Sequence, residues 1–189
     1  TERWDALTMN TSPLQSFLTK LRDELQPEFP ARNVPGFDPG NGNERARFLL
    51  LLEAPGPQAI KRGCVSLDNP DPTARNLCAQ LQQAGASRAD LVIWNIVPWY
   101  LTGRPTPADI SRGIGYLERL LTALPRLESI VLVGSAARQA HLALSMISSA
   151  RILTCHHTSA RGQNRLERGQ ENIAVFRKLL ETSPARRPA

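Results

Sequence analysis

Four short apolar runs, each followed by a stretch long enough for a helix, set the strongest limit on how this chain can fold. They are "RFLLLLE" at 47–53, "ADLVIWNIVPW" at 89–99, "ESIVLVG" at 128–134 and "RILTCH" at 151–156. A continuous apolar run of this length fits a strand covered on both faces, whereas a strand with one wet face would alternate. Between the runs the spacing is helical. Residues 5–26 place Leu14, Phe17, Leu18, Leu21 and Leu25 on one side. Residues 73–86 turn Leu77, Cys78 and Leu81 inward and stop at Gly85. Residues 106–125 open on Thr106-Pro107 and close at Pro125, and further helices are expected over 135–147 and within 164–182. Residues 27–46 and the stretch from Glu53 to Pro72 are rich in Pro, Gly and Asn and read as long loops. Strand and helix alternating four times predict an α/β protein. Its expected form is a three-layer α/β/α arrangement around a central four-stranded, mainly parallel sheet with right-handed crossovers. Residues 1–182 are expected to form one domain, with 183–189 as a flexible tail.

Composition narrows the class. With 189 residues, 41% hydrophobic and 21% charged, the chain suits one globular domain. No apolar run approaches the roughly 20 residues of a membrane helix, and residues 1–5 carry acids rather than a secretory signal's apolar stretch. Three cysteines (Cys64, Cys78 and Cys155) without a CxxC argue against a disulfide framework and against a thiolate metal or iron–sulfur site. The expectation is a cytoplasmic monomer with no metal, no cofactor and no membrane partner. A net charge of +6 favours a polyanionic partner. That signal is diluted because arginines also sit in the C-terminal "PARRPA".

In open parallel sheets ligands bind beyond the carboxyl ends of the strands, so the residues just after each run matter most. Glu53 heads "EAPGP" after the first run, and is either a solvated strand-end acid or a functional one. Asn95 interrupts the second run; a buried amide there needs partners, which backbone or a ligand could supply. Gly134-Ser135 come after the third run, suited to tight packing or to an anion at a helix start. His156 and His157, two of only three histidines, end the fourth run ahead of a polar, basic loop. His141 lies within an expected helix as an ordinary packing or surface residue.

These residues resemble the motifs of the uracil-DNA glycosylase superfamily. "EAPG" is similar to the GEAPG motif of its thermophile-type class, "NIVPW" to the Asn-x-x-Pro motif of the single-strand-selective monofunctional class, and "HHTSARGQN" to the His-Pro-Ser motif and the loop after it. The order fits over roughly residues 45–182. The resemblance implies a monofunctional DNA N-glycosylase in base excision repair, hydrolysing the bond to uracil or another deaminated base flipped out of DNA. It implies that Asn95 reads the base, that His157 stabilises the departing base anion, and that Glu53 directs the attacking water. Ala54 would sit beside the base, and Pro55, Gly56, Gly134, Ser135, Ser159 and Arg161 would meet DNA. His156 is then either structural or a support for the functional residues beside it.

The chain departs from the family pattern in several places. Leu52 replaces the first glycine of the first motif, and Thr158 replaces the proline of the third, predicting a less rigid loop. The aromatic that usually stacks on uracil is missing from "KRGCVSLDNPDP", leaving Cys64, Ser66 or Leu67 near its position. Trp99 or Tyr100 could substitute, although Trp99 equally suits the core. The missing ring motivates a second reading, a non-catalytic nucleic-acid-binding relative, and a third is a small-molecule hydrolase on the same scaffold.

Overall fold

The computed structural model describes residues 11–161 and 166–181. In chain order its elements are α1 (Pro13–Leu25), β1 (Gly36–Phe37), β2 (Phe48–Leu52), α2 (Pro57–Arg62), β3 (Cys64–Val65), α3 (Pro72–Ala84) and β4 (Leu91–Asn95), then α4 (Pro107–Ile114), α5 (Leu117–Thr122), β5 (Ser129–Val133), α6 (Ser135–Arg138), α7 (His141–Ile147), β6 (Arg151–Cys155) and α8 (Leu166–Leu180).

The main sheet has the order β4-β2-β5-β6, and every neighbouring pair is parallel. The architecture is the expected three-layer α/β/α frame. Its register follows from side-chain alternation. Leu50 pairs with Ile93, Leu52 with Asn95, and Val133 with Cys155. That puts Phe48, Leu50, Leu52, Leu91, Ile93, Val131 and Val133 in one core with Leu77 and Leu81 of α3 and with Ile173 and Phe176 of α8. The other face buries Leu49, Leu51, Val92, Trp94, Ile130 and Leu132 against α1, α4, α5 and α7. Each fully buried Leu or Ile contributes about 1.5–3 kcal/mol, so β2, β4 and β5, with no exposed position, hold without a wet face, whereas the edge strand β6, expected to be covered on both faces, is half-buried and exposes Thr154.

Helix boundaries follow their caps. α1 begins where the Ser12 side chain accepts the Gln15 N–H at 3.1 Å and Pro13 takes the first turn. The expected helix start at residue 5 therefore moves to Pro13, and residues 5–10 lie outside the described residues. α3 is capped by Asp71, which accepts the Ala74 N–H at 2.9 Å, and ends on Gly85 in the left-handed region, as expected. The expected helix over 106–125 breaks into α4 and α5 at Gly115-Tyr116. α4 lies so close to the chain after β4 that a Cβ on Gly113 would stand 1.8 Å from the Ile96 carbonyl oxygen. The expected helix over 135–147 likewise divides into α6 and α7, so His141 opens α7 rather than lying mid-helix.

Two further corrections concern the site. The stretch after β2, read as loop, contains α2, opened by Pro57 and closed by Gly63 at φ +85°. The strand expected over 89–99 stops at Asn95. Ile96 and Val97 still donate to the Leu52 and Glu53 carbonyls, at 2.8 and 3.0 Å. Outside the main sheet, β1 and β3 form a short parallel pair, Gly36 with Cys64 and Phe37 with Val65. No helix among the described residues is long and apolar enough to cross a membrane. The tail expected at 183–189 lies outside the described residues, as do Gln163 and Asn164 of the third motif.

Candidate active site

A cavity of about 360 Å³ opens at the carboxyl end of the sheet, within the size range of small-molecule pockets. Its lining combines Leu52, Glu53, Ala54, Pro55 and Gly56 after β2 with Ile93 and Asn95 of β4. His157, Ser159 and Ala160 after β6, the segment Val65, Ser66, Leu67 and Asn69, and the first turn of α3 complete it. The structure thus gathers Glu53, Asn95 and His157, distant in sequence, around one space. Ala54, Pro55, Gly56, Ser66 and Ser159 line it as well.

Alternation explains why Asn95 and His157 meet. Asn95 continues the series Leu91-Ile93, and His157 the series Leu153-Cys155, both on the sheet face covered by α3 and α8. At the strand end that face is no longer filled by apolar side chains, and the cavity takes their place. Asn95 is 3% exposed. Its side-chain amide makes no hydrogen bond to a described residue, and Asn95 lines the cavity. A cavity-lining amide that the protein does not bond is available to a partner outside the chain.

His157 is held differently. Its Nδ1 accepts the Ser159 backbone N–H at 3.0 Å. That bond requires an unprotonated Nδ1, so the neutral ring carries its proton on Nε2. Burial pushes its pKa below the usual histidine range, with the Glu53 charge opposing the shift. The ring rests on Gly134, where φ is +89° and a Cβ would lie 3.0 Å from the His157 Cβ. Glycine is required there on both counts.

Other expected residues fall elsewhere. Cys64 does not line the cavity: it sits in β3 beside Gly36, and burial followed by the Asp38 charge pushes its thiol up. Gly134 and Ser135 do not line it either. The Gly134 N–H is taken by the Cys155 carbonyl at 3.0 Å, which leaves it no backbone donor for a phosphate; Ser135 is exposed at the start of a four-residue helix. Arg161 is exposed, one residue beyond the cavity wall. Trp99 is fully buried and stacks on Phe29 at 5.1 Å, so it belongs to the core. Among the described residues no Phe, Tyr or Trp lines the cavity, and neither Trp99 nor Tyr100 reaches it.

In the loop after β6, Thr158 stands in the place of the proline and is held by hydrogen bonds. Thr158 is fully buried, its hydroxyl donates to the Thr73 carbonyl at 3.1 Å, and its own carbonyl accepts from Asn76 Nδ2 at 2.8 Å. His156 is tied down as well. Its Nε2 lies 2.5 Å from Glu171, and its backbone N–H reaches Asn172 Oδ1 at 2.8 Å. Behind the cavity, Asp38 is a buried carboxylate that sequence reasoning missed. It accepts from Ser66 Oγ at 2.5 Å, from Arg88 at 2.7 Å and from the Gly40 N–H at 2.8 Å. Within "FDPGNG" only the Gly40 N–H is a local partner, and the side chains that hold it come from 28 and 50 residues away. Among the described residues no three His, Cys, Asp or Glu side chains are placed to hold a metal ion.

An open parallel α/β sheet with a cavity at its strand ends defines a broad class of ligand-handling domains. Within it, the family model of the uracil DNA glycosylase superfamily matches residues 39–181, and the chain belongs to that superfamily. A solution NMR structure of a candidate uracil DNA glycosylase from Methanosarcina acetivorans is similar to this chain. The identity is 16%, with a TM-score of 0.49, over 72% of this chain and 92% of that one. A search of curated proteins gives no match.

Proposed function

We propose that the protein is a monofunctional DNA N-glycosylase that removes uracil or another deaminated base flipped out of DNA. The observation that carries this reading is Asn95, a residue 3% exposed that lines the same cavity as Glu53 and His157 and whose amide makes no hydrogen bond to a described residue. An amide presents one acceptor and one donor side by side. In a fixed orientation it pairs with the N3–H and O4 of uracil, and cytosine offers the reverse pattern. The neutral His157 ring donates from Nε2 to the base oxygen that gains charge as the C1′–N bond breaks. The lowered pKa suits a hydrogen-bond donor in place of a proton donor. Water adds to C1′, Glu53 accepts its proton, and the sugar leaves as an abasic site. Arg161 and the backbone at Pro55-Gly56 contact the flanking phosphates.

The test is base release from labelled oligonucleotides containing uracil, single-stranded and opposite G or A, with hypoxanthine and xanthine as further targets. Alkali-dependent strand scission that disappears in His157→Ala is the expected result. DNA binding without release from any oligonucleotide would leave a non-catalytic binder, the reading favoured by a lining without Phe, Tyr or Trp among the described residues. Turnover of a free nucleoside without DNA affinity would point to a small-molecule hydrolase.

A further inference from the structure

Asn172 occupies a position on α8 that apolar periodicity would fill, four and seven residues before the buried Phe176 and Leu179. It is 0% exposed, so its amide must be satisfied inside the protein. Its Oδ1 accepts the His156 N–H at 2.8 Å. Its Nδ2 donates to the His156 carbonyl at 3.1 Å and to Oε1 of Gln80, a buried residue of α3, at 3.0 Å. One turn earlier on α3, Asn76 donates to the Thr158 carbonyl at 2.8 Å. The backbone on both sides of His157 is therefore gripped, by α8 on one flank and by α3 on the other. β6 is an edge strand of the main sheet. Past its last residue, the pair of bonds from Asn172 to His156 does what a neighbouring strand would do.

We infer that Asn172, braced by Gln80 and matched by Asn76, is a positioning residue for His157. It fixes the flanking backbone so that the ring stays at the cavity with Nδ1 on the Ser159 N–H. The effect on base release rests on the function proposed above; the effect on the ring does not. An amide is needed because His156 presents a donor and an acceptor together, and Gln80 Oε1 adds a second acceptor. A carboxylate of the same shape keeps the bond from the His156 N–H but sets oxygen against the other two.

The experiment compares the full chain with Asn172→Asp, nearly isosteric, and Asn76→Ala at a half-buried position where one hydrogen bond is lost. Two readouts are used: single-turnover release from a uracil oligonucleotide together with DNA affinity, and the imidazole ¹⁵N signals of His157, which report its tautomer. Asn172→Asp is expected to slow release by on the order of tenfold to a hundredfold, as for a displaced catalytic group, with DNA affinity retained and the His157 signals shifted. The ratio of variant to wild-type rate should recover as pH falls and the introduced carboxyl regains a proton to donate. Asn76→Ala should move both readouts less, in the same direction. If both variants keep the wild-type rate and the wild-type ring signals while only their melting temperatures fall, the residues are merely structural and the inference is overturned. If the wild type releases no base at all, the glycosylase reading fails, and the ring signals alone decide: unchanged in Asn172→Asp, they overturn the positioning role; shifted, they support it.

Discussion

The sheet-edge wall of the cavity and the segment from Val65 to Asn69 both bury polar side chains, and they treat them differently. On the sheet edge, Asn95 has no protein partner among the described residues. In the other wall Ser66 donates to Asp38 at 2.5 Å and accepts from the Asp68 N–H at 3.0 Å. Asp38 is further held by Arg88, which also bonds Asp68 at 2.8 Å and Asn41 at 3.2 Å. The exception in this wall is Asn69, whose Oδ1 is buried without a partner. Burial is nearly equal at Asn95 and Ser66, 3% and 4% exposed, so burial alone does not separate a group kept for a ligand from one used by the fold. What separates Asn95 from Ser66 is whether the protein already satisfies the polar atoms, and by that measure Asn69 Oδ1, also in the cavity lining, stands with Asn95.

The two walls differ most sharply at Asn95. Asn95→Ala is expected to lower kcat/KM for base release by on the order of a thousandfold, since it removes the pairing that a polar recognition site depends on. It should leave stability nearly unchanged, because no protein hydrogen bond is lost. Oligonucleotide cleavage and thermal melting measured on one preparation check both halves. A loss of several kcal/mol in stability would mean that Asn95 belongs to the fold.

Asp38→Ala should behave in the opposite way. It strips Ser66 and the Gly40 N–H of an acceptor and leaves Arg88 with Asp68 and Asn41 alone. The expected cost is about 2–3 kcal/mol, given loss of a buried charged acceptor with several donors. Urea unfolding measures it. A change under about 0.5 kcal/mol, the scatter of an ordinary surface substitution, would mean that this wall is held without Asp38.

Much of the sheet-edge wall was legible in the sequence. The apolar runs fix the strands, and Glu53, Asn95 and His157 are polar residues at their ends, where period-two alternation and the parallel-sheet rule place a ligand. In the second wall the resemblance places Ser66 and Leu67 beside the base, and both line the cavity, but the bonds that hold this wall were not legible. Ser66 finds Asp38 across 28 residues and Asp38 finds Arg88 across 50, and no local pattern encodes such pairings. α2 was hidden because its six residues are too few for periodicity, although Pro57 and Gly63 are ordinary start and stop signals. Asn172 and Gln80 did leave a trace: each stands at a helical position where spacing calls for an apolar side chain. A polar residue in such a place indicates a buried partner without saying which.

A pH series sharpens the contrast at His157. Burial lowers its pKa in the folded state relative to the unfolded value of about 6.5. Between those two values the unfolded chain binds more protons than the folded one, so stability contributed by the neutral ring is present above about pH 6.5 and is lost as pH falls through the folded pKa. Base release should fall over the same window as the ring becomes charged. His157→Gln should remove this part of the slope of stability against pH, measured by urea unfolding from about pH 5 to 8. An unchanged slope would assign the acid sensitivity to other groups.

The smallest effect tests the loop that carries His157. Thr158 stands where the family pattern has proline, and a proline there would restrict the chain by its ring. This chain restricts it by the bond from the Thr158 hydroxyl to the Thr73 carbonyl at 3.1 Å. Thr158→Val keeps the shape and the backbone carbonyl that Asn76 grips, and loses only that bond. The expected cost is about 1 kcal/mol, or roughly 2–4 °C in melting temperature for a domain of this size. The rate of base release well below the melting temperature should fall less than in Asn76→Ala, because the backbone next to His157 keeps its amide partner. If Thr158→Val instead slowed release more than Asn76→Ala at equal stability, the hydroxyl would be the main anchor of the loop, and the comparison between the two walls would have to count Thr158 with the groups that serve the cavity.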